Sequence, residues 1–74
     1  MNRLAESLEI MKKLQNELHV PLKDLSGLSR HLTMYIKYGK VWSGYIQLPT
    51  LKRHLHVILP NNPDMPIRVV LKAL

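Results

Sequence analysis

The chain has 74 residues, a formal net charge of +6 and no cysteine. This length predicts a single domain over residues 1–74, because two shorter units could not each bury a core. The lack of cysteine excludes disulfides and a thiolate nucleophile, and it fits a reducing compartment. No apolar run approaches the roughly 20 residues that cross a bilayer, and the N-terminus is unlike a signal peptide. We therefore expect an intracellular protein, cytoplasmic or nuclear, that does not enter a membrane.

The positive charge is concentrated in the second part of the chain. From Met1 to Asp24, four basic residues meet four acidic ones, so this part is neutral. From Leu25 onward, seven basic residues accompany a single acidic residue, Asp64. Such a distribution attracts polyanions or acidic protein surfaces, although a charge of this size also serves solubility alone.

The first predicted element is an amphipathic helix over residues 2–19, with Asn2 as its N-cap. Apolar side chains recur at three- and four-residue spacing, at Leu4, Leu8, Met11, Leu14 and Leu18. The polar face is balanced in sign, which argues against binding to anionic lipid. We therefore expect the apolar stripe to pack on the core.

A short second helix or a loop is expected over residues 21–30. Pro21 ends the first helix, because the residue before a proline is displaced from helical geometry. The leucines that follow would share one side of a short helix. Gly27 lowers the helix propensity of this stretch.

Residues 31–38 are predicted as a strand, because apolar and polar side chains alternate from Leu32 to Tyr38. A three-residue loop, 39–41, would then return the chain antiparallel into a second strand at about 41–48, with Tyr38 opposite Trp42. A helix that continues to Tyr38 stays open as an alternative, because it would also gather apolar residues on one face.

Two more strands are predicted over residues 53–59 and 67–73, with alternate apolar side chains inward. Three prolines make the connector between them, 60–66, a stiff bridge. The expected fold is α+β: the amphipathic helix, with or without a second short helix, packs on a three- or four-stranded antiparallel meander.

The same alternation leaves a basic face with two tyrosines directed away from the helix. Tyrosine rings stack on bases and cations follow phosphates, so this face is suited to single-stranded nucleic acid. An ordinary solvated sheet face is the plainer interpretation, because no RNP-type motif or GXXG loop accompanies it. The residues predicted to bind nucleic acid or a partner are Tyr35, Lys37, Tyr45, Lys52, Arg53, His54, His56, Arg68 and Lys72.

Neither a cofactor nor a metal nor a catalytic residue is predicted. His54 and His56 lie two apart on a strand, but a metal would also need ligands such as His31 or Asp64. Paired carboxylates outside the first helix, a glycine-rich phosphate loop and a Ser-His-Asp arrangement are all absent from the sequence. We therefore expect a binding domain that is not an enzyme.

Two stretches, VWSGYIQLP and LHVILPNNPDMPIRVVL, resemble the N-terminal half of ubiquitin-conjugating enzymes and their catalytically inactive variants. The residues that carry the resemblance are Trp42, Gly44, Ile46 and Pro49, then Pro60, Pro63, Pro66 and Val69. In that family the proline-rich turn leads into a fourth strand. This chain departs from the pattern in lacking the tyrosine of the turn and any cysteine, and in having Ile67 where the family has a second proline.

The resemblance implies a non-catalytic module that holds ubiquitin or another protein on its exposed sheet face. Binding of single-stranded nucleic acid is therefore the first functional hypothesis, and a protein-interaction module is the alternative. That module would bind an acidic protein surface or form a homodimer through the edge of the sheet.

Overall fold

The computed structural model describes residues 3–73, which form two helices and a three-stranded antiparallel sheet. The helices are α1 (Arg3–Asn16) and α2 (Ser26–Tyr38), and the strands are β1 (Trp42–Leu48), β2 (Arg53–Leu59) and β3 (Arg68–Ala73). Short 3-10 turns at Leu22–Leu25 and Pro49–Leu51 precede α2 and β2. The predicted α+β fold, with its helices before an antiparallel meander, is confirmed.

Helix α1 is shorter than predicted, and its apolar stripe is only partly covered. The helix ends at Asn16, and His19 then adopts a left-handed backbone with φ of 55° while the Val20 amide donates to the Leu14 carbonyl at 2.9 Å. Leu14 is buried, whereas Leu4 and Leu8 are more than half exposed. The predicted N-cap, Asn2, lies outside the described residues.

The strand predicted over residues 31–38 is wrong, because these residues continue α2. Leu28, Leu32 and Tyr35 lie on one helical face and are buried in the core. Gly39 ends the helix with φ of 65°, and its amide donates to the Tyr35 carbonyl at 2.9 Å. The glycine therefore caps a helix instead of turning a hairpin, and the predicted pairing of Tyr38 with Trp42 does not occur.

The sheet has the order β1-β2-β3, with β2 in the centre. Trp42 pairs with Leu59 across β1 and β2, and Ile58 pairs with Arg68 across β2 and β3. The bounds of β2 agree with the prediction, and β1 and β3 each begin one residue later than predicted. The core side of the sheet is formed by the buried side chains of Leu48, Leu55, Val57 and Leu59.

The connector between β2 and β3, residues 60–66, is fixed by both helices. The Tyr35 hydroxyl donates a buried hydrogen bond to the Pro60 carbonyl at the start of the connector. At its far end the Ile67 amide donates to a Glu6 carboxylate oxygen at 2.7 Å. Between these points, the Arg3 guanidinium donates to the carbonyls of Asn62 and Met65, both at 3.1 Å. The proline-rich bridge thus carries the chain from β2 to β3 along a fixed path.

Of the helices in the described part of the chain, none is long and apolar enough to cross a membrane.

Replacing Tyr35 with Phe is expected to lower the free energy of unfolding by about 1–3 kcal/mol, because the buried Pro60 carbonyl loses its donor. Tyr38, at 71% exposed, provides the matched control, and Tyr38→Phe should change stability by less than about 0.5 kcal/mol. Urea denaturation followed by circular dichroism measures both. Equal stability of Tyr35→Phe and the parent would contradict a structural role for this hydroxyl.

Candidate nucleic-acid interface

The side of the sheet opposite the core carries three side chains from each strand, in three cross-strand rows. We call this surface the outer sheet face. Its rows, given by the strand registers, are Ser43–Ile58–Arg68, Tyr45–His56–Val70 and Gln47–His54–Lys72. Because β1, β2 and β3 contain no acidic residue, the face combines aromatic, polar, apolar and basic groups without a carboxylate.

An aromatic cluster lies at the centre of the outer sheet face. The Tyr45 ring stacks on His56, with centroids 4.8 Å apart and planes inclined by 21°. It also meets His54 edge to face, with centroids 4.9 Å apart. Tyr45 is 56% exposed, so the tyrosine stays accessible while the two imidazoles beside it are partly covered. Tyr45 thus contacts both imidazoles, with His56 nearly parallel to its ring and His54 at right angles to it.

Two exposed cations lie on β3, on the side of β2 away from Tyr45. Arg68 and Lys72 are four residues apart on the strand and point to the outer sheet face on either side of Val70. Within residues 3–73, the single ion pair joins Arg3 to Glu6 at 3.0 Å, so neither cation of the face is neutralised by a carboxylate. The positive charge of the face is therefore available to an anionic partner.

Five of the nine predicted site residues lie together on the outer sheet face: Tyr45, His54, His56, Arg68 and Lys72. The other four do not. Tyr35 is 8% exposed and belongs to the core, and Lys37 lies on the exposed side of α2. Arg53 is on the same side of β2 as Leu55, the core side, but it is exposed at the end of the strand. Lys52 precedes it and has a left-handed backbone with φ of 51°.

Two apolar members of the face, Ile58 and Val70, were missed by the sequence analysis. Val70 is 41% exposed and Ile58 is partly buried. The signal that could have found them is the two-residue period itself, since Ile58 continues the series begun by His54 and His56.

The other side of β1 carries a second aromatic pair. The rings of His31, on α2, and Trp42 are stacked with centroids 3.9 Å apart and planes inclined by 13°. His31, named above as a ligand that a metal at His54 and His56 would need, therefore lies on the opposite side of the sheet from those histidines. Gly44 makes room for the indole, since a Cβ atom there would lie 2.8 Å from Cζ2 of Trp42.

In the part of the chain that the structure describes, no group of three or more His, Cys, Asp or Glu residues is arranged to hold a metal ion. His54 and His56 instead contact Tyr45.

Gly44→Ala is expected to lower the free energy of unfolding by about 1–3 kcal/mol, because the new methyl group displaces the Trp42 ring from its packed position. Gly27→Ala is the matched control: its Cβ would meet Ile46 methyl carbons at an ordinary 3.7 Å, and alanine favours the helix by about 0.5–1 kcal/mol. Chemical denaturation and the emission maximum of Trp42 report the two effects. A neutral Gly44→Ala would contradict the close packing of the indole on this glycine.

No family model, curated protein or solved structure gives a significant match to this chain. The resemblance to ubiquitin-conjugating enzymes therefore depends on the motif residues alone. In the structure, the proline connector leads into the third strand, whereas the family pattern has it before a fourth.

Proposed function

We propose that this protein is a non-enzymatic binding domain that takes single-stranded nucleic acid onto the outer sheet face, in the cytoplasm or nucleus. The observation that supports this most directly is the ring cluster of Tyr45, His54 and His56, flanked by the unpaired cations Arg68 and Lys72. Bases stack on aromatic rings because every base has a π-face, and cations contact the phosphates.

The dimensions of the face suit a short length of nucleic acid. Neighbouring strands are about 4.8 Å apart and residues on one strand rise about 3.3 Å each, so Arg68 and Lys72 lie roughly 13 Å apart along β3. A strand of nucleic acid that lies along β3 would meet these cations at separate phosphates, while its bases reach across β2 toward Tyr45. A few nucleotides would therefore fill the surface.

Sequence preference at this surface should be weak. Stacking accepts any base, and the polar side chains available to base edges are Ser43 and Gln47, on either side of Tyr45. The apolar side chains of Ile58 and Val70 add contact area but form no hydrogen bond that would discriminate between bases. The domain would therefore act on single strands in general, with a modest bias set by one hydroxyl and one amide.

Tyr45→Ala is expected to weaken binding of a fluorescently labelled oligonucleotide by about 5- to 150-fold, which corresponds to the roughly 1–3 kcal/mol that one stacked base contributes. Tyr38→Ala is the control, because Tyr38 is a still more exposed tyrosine at the end of α2, away from the face. Fluorescence anisotropy at low salt measures both affinities. Unchanged binding by Tyr45→Ala, or no binding by the parent protein, would refute the proposal.

The same titrations at several salt concentrations test whether Arg68 and Lys72 contact phosphates. Each phosphate contact on a single strand contributes about 0.7 to the slope of log K against log salt. Arg68→Gln and Lys72→Gln should each reduce that slope by about this amount, whereas Lys37→Gln on α2 should leave it unchanged.

A second function, binding of an extended acidic segment of another protein, is favoured by the outer edge of β3. In the described chain β3 pairs only with β2, so its other edge is free for an added strand. Beside this edge runs a groove of about 430 Å³ between α1 and β3. It is lined by the apolar residues Ile10, Leu14, Leu18, Ile67, Val69, Val70 and Leu71 and by one cation, Lys13.

The charges along β3 favour an acidic partner over a second copy of this chain. If two copies of β3 paired antiparallel about Val70, Arg68 of one would lie opposite Lys72 of the other, and like charges directly opposite destabilise a sheet. An extended segment that alternates acidic and apolar residues would meet Arg68 and Lys72 with opposite charge. It would also direct apolar side chains into the groove.

A synthetic peptide that alternates Glu and Val is expected to bind this edge and to shift the amide resonances of β3 in NMR spectra. Lys13→Glu should weaken the binding at least several-fold through like-charge repulsion, whereas Lys12→Glu, its neighbour outside the groove, should have a smaller effect. Shifts confined to other elements, or equal effects of the two variants, would contradict binding at β3.

A further inference from the structure

A groove between α2 and the start of β1 has features that the outer sheet face does not use. Its volume is about 360 Å³, and it is lined by Arg30, His31, Met34, Lys40 and Trp42. Small-molecule sites commonly have volumes of roughly 300–1,000 Å³. We call it the α2–β1 groove, and its size suits a ligand no larger than a mononucleotide.

One wall of the α2–β1 groove is aromatic and held in place. His31 and Trp42 are stacked at 3.9 Å, so each ring restricts the orientation of the other. The indole also packs closely on Gly44, where no Cβ occupies the space. Because these rings are already ordered, binding of a planar ligand against them costs the protein little further side-chain entropy.

The rim of the groove is basic. Arg30 lies one turn before Met34 on the same side of α2, and Lys40 follows Gly39, whose left-handed backbone turns the chain out of the helix. Both cations are exposed, neither forms an ion pair within residues 3–73, and the lining contains no carboxylate. A guanidinium presents paired N–H donors that match two phosphate oxygens, and an ammonium adds a point charge.

We propose that the α2–β1 groove binds a nucleoside 5′-monophosphate group, with the base against His31 and Trp42 and the phosphate between Arg30 and Lys40. The aromatic wall alone would suit any planar molecule, and the cations alone would suit any small anion. Their combination in one groove of this size selects a planar heterocycle that carries a phosphate. Met34 supplies an apolar contact for the sugar or base.

This site is separate from the outer sheet face, since Trp42 and Tyr45 point to opposite sides of β1. A nucleoside monophosphate group can come from a free nucleotide or from the phosphorylated end of a nucleic-acid strand. The chemistry of recognition is the same for both sources, and only the second depends on the proposed function.

Trp42 is the single tryptophan of the chain, so its fluorescence reports directly on the groove. Titration with AMP, GMP, CMP and UMP, with excitation near the red edge of the indole band, should produce saturable quenching by at least one nucleotide. Adenosine without phosphate, and inorganic phosphate without a base, should each bind at least tenfold more weakly than AMP. Isothermal titration calorimetry provides an independent measure of the affinities.

The double variant Arg30→Gln, Lys40→Gln should weaken nucleotide binding at least tenfold, and Lys37→Gln, on α2 outside the groove, should leave it unchanged. All of these positions are exposed, so the variants are expected to fold, as circular dichroism will check. The proposal is overturned if no nucleotide quenches Trp42 saturably, or if the double variant binds as well as Lys37→Gln.

Oligonucleotides with a 5′-phosphate or a 5′-hydroxyl distinguish the two sources. Tighter quenching by the 5′-phosphorylated strand than by the mononucleotide would identify the end of a strand as the ligand, and equal quenching would identify the free nucleotide. Tyr45→Ala should leave mononucleotide binding intact, so loss of the outer sheet face and loss of the groove are measured separately. If Tyr45→Ala removes mononucleotide binding as well, the separate site is refuted.

Discussion

The position of β3 depends on the way the connector 60–66 is held by the two helices. The Tyr35 hydroxyl donates to the Pro60 carbonyl at the start of the connector, and the amide of Ile67, which follows the connector, donates to the Glu6 carboxylate. Prolines restrict the conformations between these points, so little entropy is lost when the connector is ordered. Arg3 donates to the carbonyls of Asn62 and Met65, of which the Asn62 carbonyl also accepts from the Met65 amide. The connector is thus anchored at the buried Pro60 and by hydrogen bonds from both helices, while residues 61–66 remain exposed.

The proposed binding surfaces follow from this arrangement. Arg68 and Lys72 belong to β3, and they lie beside Ile58 and His54 of β2 only because β3 pairs with β2 in the observed register. The acids Glu6 and Asp24 serve hydrogen bonds within the fold, to the Ile67 amide and to the Thr50 amide and hydroxyl. The three strands and the α2–β1 groove therefore contain cationic and aromatic side chains without a carboxylate. Both the proposed binding of single strands and the proposed nucleotide site depend on this combination.

The sequence predicted the parts of the fold in which one periodicity was unambiguous. In β2, His54 and His56 alternate with the buried Leu55, Val57 and Leu59, and both the bounds of this strand and its core side were predicted. Residues 31–38 fit two periods at once, because Leu32 and Ile36 satisfy the spacing of a strand and of a helix alike. The interactions that favour the helix cannot be found in the local pattern. The Tyr35 hydroxyl bonds to a residue 25 positions away. Gly39 caps α2, but a glycine at this position would suit a hairpin turn equally well. That single error put Tyr35 and Lys37 in the predicted site, whereas Tyr45, His54, His56, Arg68 and Lys72 were correctly assigned to the side of the sheet opposite the core. No local pattern could indicate that Leu4 and Leu8 remain exposed. Helical periodicity predicts which residues share one side of α1, but it does not predict whether another element packs on that side.

The contacts of Arg3 and Glu6 with the connector also constrain how this chain acquires its structure. They join residues 59 to 62 positions apart, close to the full length of the chain, whereas the β1–β2 hairpin and the capped end of α2 are built from near neighbours. Loop-closure entropy makes such long-range contacts late events in folding. During synthesis on the ribosome, α1, α2 and the hairpin would therefore precede β3, and one edge of β2 would stay unpaired until the connector docks. In this order of assembly, Arg68 and Lys72 join the outer sheet face after the residues of β1 and β2.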